Sequence, residues 1–180
     1  HTHLEAPVGG TTSSDDFETG TRAAAFGGTT CIVDFATQSK GQSLLDAYRI
    51  WRQKAAKAAL DYGLHMIVVD VAGSRMEELD GLVGEGVTSF KLFMAYPGVL
   101  MVDDATILQV MLRARNKGAL VAVHAENGGA IEYLVQKARA EGRTAPIEHA
   151  LTRPATAEAE AVHRVIELAQ KADVPLYVVH

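Results

Sequence analysis

The reactive side chains that stand out in this sequence are His1, His3, His124, His180 and Lys91. His1 and His3 are one residue apart, so on an extended chain both imidazoles project to one side and can reach a single metal ion. Taken alone, a His-x-His also arises by chance or as a tag remnant. His124 closes an apolar run over 120–123 and His180 closes another over 176–179, so two further strands each deliver an imidazole at the carboxyl end. Lys91 lies inside Ser89-Phe90-Lys91-Leu92-Phe93-Met94, a run so apolar that an ammonium within it is costly. The bland alternative is a lysine snorkelling to water from a helix or a sheet edge. Beside four histidines, a neutral or modified amine is the better reading. Desolvation favours the free amine, which can add carbon dioxide to become a carbamate, an anionic two-oxygen ligand able to bridge two divalent ions. Two ions so bridged sit about 3.5–4 Å apart, polarise a carbonyl and activate water near neutral pH, which suits amide hydrolysis.

Such side chains need elements to position them. Short β-branched runs alternate with longer amphipathic stretches, the mark of repeated strand and helix units around a parallel sheet. Strands are expected over 29–35, 65–71, 88–94, 120–124 and 176–180, buried on both faces. Helices are expected over 43–61, 76–85, 103–117, 129–141 and 156–172, with Gly118 and Gly142 ending two of them. In the third, Asp103 or Asp104 caps the amino end, and Ile107, Val110, Met111 and Ala114 share the face that covers the sheet. The fold class expected is α/β, a (β/α)8 TIM barrel that needs about 250 residues when complete. The 180 residues would then form one partial barrel domain over 1–180, from the end of strand 1 to strand 6. Neither His1 nor His180 is expected to be a domain boundary. Loops over 5–16 and 96–102 follow strands and are expected to line the site.

Composition narrows the partners. With 48% hydrophobic and 22% charged residues and a net charge of −5, the chain has the make-up of a globular domain without a basic stripe. Nucleic acid and an anionic membrane surface are therefore not expected, and a small molecule is. No run approaches the roughly 20 apolar residues of a membrane span. The single cysteine, Cys31, sits in an apolar run and is expected to be a buried, reduced thiol, consistent with a cytoplasmic protein.

His1-Thr2-His3, Phe90-Lys91-Leu92-Phe93-Met94-Ala95-Tyr96, Val123-His124-Ala125-Glu126-Asn127 and His180, in this order and spacing, resemble the cyclic amidohydrolases. Gly20-Thr21-Arg22-Ala23-Ala24-Ala25-Phe26-Gly27-Gly28-Thr29-Thr30 and Phe93-Met94-Ala95-Tyr96 resemble, more closely, the dihydropyrimidinases and D-hydantoinases. The resemblance covers the whole chain. It implies a two-metal barrel hydrolase that opens the ring of dihydropyrimidines or 5-substituted hydantoins to N-carbamoyl amino acids. It implies zinc held by His1 and His3 at one ion and His124 and His180 at the other, with Lys91, carboxylated by CO2, bridging both. Tyr96 would donate its hydroxyl to the ring carbonyl and steady the oxyanion. A metal-binding, proton-shuttling aspartate, the remaining strands and a flanking β-sandwich domain are implied beyond residue 180, so the segment alone is expected to be a poor catalyst. Relatives of this kind are commonly homotetramers.

Other residues are expected to be supporting. Asp34 and Asp70 close two strand runs and are read as structural groups or as groups that orient ligands, with a site role left open by their place at the active end; His65, His149 and His163 are read as structural, His65 at a strand start remote from the chemistry. Glu126 follows His124 and could orient an imidazole, but a strand-end carboxylate is as often simply solvated, and it is left outside the site. Two alternatives stay open: an allantoinase or dihydroorotase on the same metal framework, and a non-catalytic assembly protein that keeps the barrel. Retention of every possible ligand favours an enzyme.

Overall fold

The computed structural model describes residues 1–8 and 10–180; Gly9, within the loop expected over 5–16, lies outside the described residues. The chain divides into two units, His1–Phe90 and Lys91–His180.

In the first unit, β1 (Pro7–Val8) and β2 (Thr11–Thr12) pair antiparallel as a small hairpin. Next comes α1 (Phe17–Phe26), which begins with a capping box: Asp16 accepts from the Thr19 N–H, and the Thr19 hydroxyl receives the Asp16 N–H. Sequence periodicity missed this helix because it buries only Phe17 and Thr21. The parallel pair β3 (Cys31–Thr37) and β4 (Asp61–Ile67) runs in register from Cys31 opposite Asp61 to Thr37 opposite Ile67. Between them lies α2 (Leu44–Ala55), capped by Ser43, whose buried Leu44, Ala47, Tyr48, Trp51 and Ala55 recur at helical spacing and pack on β3 and β4. It ends well before 61, where the expected helix ended, because the chain must turn to bring Asp61 beside Cys31. The unit continues through α3 (Arg75–Gly84), and β5 (Ser89–Phe93) begins at its end.

Two sequence expectations are corrected here. Cys31 is exposed, since it is the first residue of β3 and the apolar filling of that strand starts at Ile32. His65 does not open its strand: β4 starts at Asp61, in a half-polar stretch whose pairing with β3 outweighs its weak apolar signal, so His65 lies near the carboxyl end.

The second unit contains the end of β5, then α4 (Asp104–Asn116), β6 (Leu120–His124), α5 (Gly128–Ala140), the short α6 (Glu148–Leu151), α7 (Ala155–Ala172) and β7 (Leu176–Val178). Asp103 caps α4 by accepting from the Thr106 N–H, and Ile107, Val110, Met111 and Ala114 are all buried, as the spacing predicted. β6 and β7 pair parallel, Val121 opposite Leu176 and Val123 opposite Val178. The Met94 N–H donates to the His124 carbonyl, tying the chain after β5 to the end of β6. β5 is buried at all five positions, whereas in β7 Leu176 and Val178 are half-buried and Tyr177 is exposed, so burial on both faces does not extend to β7. Gly128 opens α5 against neighbouring backbone: a Cβ there would stand 2.8 Å from the Ala95 Cα and the Met94 carbonyl oxygen. Arg164 of α7 reaches Asp104 at 2.6 Å and fixes α7 against α4. No helix among the described residues is long and apolar enough to cross a membrane.

Candidate metal centre

In the first unit the His-x-His segment lies outside the named strands but is bonded to β3, since the Thr2 N–H donates to the Val33 carbonyl at 3.1 Å. Asp34, wholly buried, anchors the rest. Its Oδ2 accepts from the Thr2 hydroxyl at 2.5 Å and the Leu4 N–H at 2.9 Å, and its Oδ1 accepts from the Phe35 N–H at 2.7 Å. Burial pushes the Asp34 carboxyl above its usual range, and the bonds from Leu4, Thr2 and Phe35 pull against that. The rings of His1 and His3 both rest on Phe35 at 4.6 Å, His3 stacked upon it, and their Nε2 atoms stand 3.2 Å apart. His65, expected to be remote, packs on the same Phe35 at 4.6 Å and lies 6.5 Å from the His1 ring. Its Nδ1 meets the Ser89 hydroxyl at 2.5 Å.

Because three donors converge on Asp34, Asp34→Ala is expected to destabilise the full-length protein by about 3 kcal/mol, the cost of leaving buried donors without an acceptor. Chemical denaturation measures this, and an unchanged midpoint would show that Asp34 does not anchor the histidine segment.

The second unit gathers the other residues. Lys91 is fully buried in β5, with its Nζ 3.5 Å from the centre of the Phe93 ring. Burial pushes its ammonium down to about 7, so the neutral amine is well populated at neutral pH. His124 ends β6 as expected, while His180 lies two residues past the end of β7, held there by the Val179 N–H donating to Val123. The His124 Nδ1 and His180 Nε2 are 3.2 Å apart. Burial, then the nearby His124 and Lys91, hold His180 below the ordinary imidazole range, which favours its neutral, ligating form.

Tyr96 sits in the left-handed region, φ +65°, uncommon for a bulky residue and a mark of a backbone held by its surroundings. Its carbonyl accepts the N–H groups of Val99, Leu100 and Met101, and its ring lies 5.3 Å from His124. Burial first, and the Glu126 carboxylate second, push the phenol upward, so it stays protonated and can donate. Tyr96, His124 and His180 line a cavity of about 300 Å³ together with Glu126, His149 and Arg153. His149 and Arg153 carried no periodic or spacing signal, because it is the path of the chain around α6 that brings them there. Glu126, left outside the site by the sequence reading, places its Oε2 2.6 Å from the His124 Nε2, the imidazole-orienting position rather than the solvated one. The two-residue spacing from His124 was the signal available for it.

Two imidazole nitrogens facing each other at 3.2 Å can share one proton or direct two lone pairs at one cation. Each pair, His1 with His3 in the first unit and His124 with His180 in the second, is a donor type that suits divalent ions of the zinc class. Among the described residues no three or more His, Cys, Asp or Glu side chains are grouped to hold a metal.

Comparison with known proteins bears on the same chemistry. No family model matches the chain. It is 59% identical over 181 residues to a D-hydantoinase of Streptomyces coelicolor, an alignment that takes in 100% of this chain and 39% of that protein. The crystal structure of a dihydropyrimidinase from Brevibacillus agri superposes on all of it with a TM-score of 0.98 at 56% identity, covering 40% of that structure. Along its whole length the chain corresponds to a segment of the D-hydantoinases and dihydropyrimidinases. A D-hydantoinase of Ralstonia pickettii is 52% identical over 181 residues, again over 100% of this chain and 40% of the relative. The chain thus spans about two fifths of the length of the hydantoinases it matches. Its α/β architecture with parallel strand pairing is the one that stretch adopts in the solved dihydropyrimidinase.

Proposed function

We propose that the full-length protein carrying this chain is a cyclic amidohydrolase that opens dihydropyrimidine or 5-substituted hydantoin rings to N-carbamoyl amino acids. The observation that carries the reading is identity of 59% with a protein named D-hydantoinase along the entire chain. In this reading the parallel units belong to a (β/α)8 barrel, whose active site gathers at the carboxyl ends of its strands, where His124 stands. His1 and His3 would hold one divalent ion and His124 and His180 a second, with Lys91, carboxylated by CO2, as a further ligand. Zinc is the metal proposed. When bound, the ions supply Lewis acidity and an activated water.

The chain's own residues supply the rest. Burial keeps the Lys91 amine neutral often enough to react with CO2, since only the free base is nucleophilic. Asp34 fixes the segment that bears His1 and His3. Tyr96 donates its hydroxyl to the ring carbonyl oxygen, where negative charge grows as the amide carbon becomes tetrahedral. As the C–N bond breaks, the ring nitrogen takes a proton, which an aspartate beyond residue 180 is proposed to deliver. A homotetrameric assembly and a cytoplasmic location complete the proposal.

Metal analysis of the full-length protein, with turnover of hydantoin and dihydrouracil, tests this reading; a protein that takes up no metal, or inert ring substrates, defeats it. Tyr96→Phe is expected to lower kcat by about 10²–10³-fold, the usual effect of removing one oxyanion donor, with metal content unchanged. Unaltered steady-state kinetics in that variant would remove Tyr96 from the mechanism.

A further inference from the structure

The structure assigns to Glu126 the positioning of His124, an inference that rests on the metal reading above. Glu126 Oε2 stands 2.6 Å from His124 Nε2, and the other ring nitrogen, Nδ1, faces His180 Nε2 at 3.2 Å. A carboxylate can only accept, so the nitrogen facing it carries the hydrogen. The Nε2–H of His124 therefore donates to Glu126, and the Nδ1 lone pair is left pointing towards His180, as a shared cation requires.

The two histidine pairs differ in this respect. His1 and His3 meet through their two Nε2 atoms, the outer nitrogens of the rings. His124 presents Nδ1, the nitrogen beside its own Cβ, so its ring must be turned and held at the far end. Glu126 is the group at that far end. The ring is also stacked on Phe93, 5.5 Å between centres and 22° between planes, which limits tilt but leaves rotation within the plane to the carboxylate. Glu126 is itself held on a pinned strand-to-helix turn. The Asn127 N–H donates to the Ala157 carbonyl and the Gly128 N–H to the Met94 carbonyl, so the residues after Glu126 cannot drift. The side chains of His124 and Glu126 are only 14% and 19% exposed, so the bond is sheltered rather than a surface ion pair. Glu126 is thus a positioning residue that acts through His124.

The test is zinc retention by the full-length zinc protein against a competing chelator, with activity measured separately. Glu126→Ala is expected to release one of two zinc equivalents about 10–100-fold more readily than wild type, the other equivalent being held as before. Glu126→Gln keeps the size of the side chain and an oxygen that accepts a hydrogen bond, and it should fall between the two; it also serves if the alanine variant does not fold. A wild type that holds two zinc ions, with either variant holding both as tightly, overturns this inference alone. A wild type that takes up fewer than two overturns the metal reading and this inference with it.

Discussion

Replacing Lys91 by Met in the full-length protein is expected to abolish ring opening while leaving the fold intact. Lys91 is fully buried in a strand buried at all five positions. Methionine fills similar volume with no charge, so stability should hold or rise slightly, because the unfavourable burial of an amine is removed. The chemistry should not survive. Lys91 is proposed to supply the only ligand common to both ions, and the charge stabilisation such ions give a transition state is several kcal/mol, so kcat/KM should drop by about 10³-fold or more. The variant should also be isolated with little bound metal. A lysine kept merely for its contact with Phe93 would give the opposite result: a methionine variant that binds metal and turns over substrate as wild type does.

His124→Ala is the second large effect expected. His124 shares its site with His180 across 3.2 Å, with ring centres 5.2 Å apart. Its loss should leave about one divalent ion per chain in place of two and lower kcat/KM by a similar factor of about 10³. His163→Ala, on the exposed side of α7, is the matched control and should change neither quantity. Metal counting by mass spectrometry with steady-state kinetics reads both. Equal metal content in the two variants would detach His124 from metal binding and support the non-catalytic alternative.

Much of this architecture is legible in the residues because apolar periodicity and capping are local. The limits of β6, the face of α4 and the burial of Lys91 follow from side chains that must leave water together. Where the sequence misleads, a non-local partner decides. α1 is short of buried apolar residues, so its periodicity is faint, yet its capping box defines its start. β4 begins four residues before its apolar run because pairing with β3 sets its ends, and this moves His65 onto Phe35 beside His1. Cys31 is exposed by its place at the strand tip. At the site, residue types and spacing single out the histidines and Lys91; the structure brings His1 to His3 and His124 to His180 and buries Lys91. They do not reveal that Glu126 turns back on His124, or that Arg153 and His149 reach the same cavity, because those contacts depend on the course of the loops.

The most direct test of the proposed metal centre is an anomalous-scattering crystal structure of the zinc-loaded full-length protein. The account predicts two metal peaks about 3.5–4 Å apart, one ligated by His1 and His3 and the other by His124 and His180, with carbamate density extending from Lys91 to both. A single peak, or a Lys91 side chain ending in a bare amine remote from the metals, would contradict it.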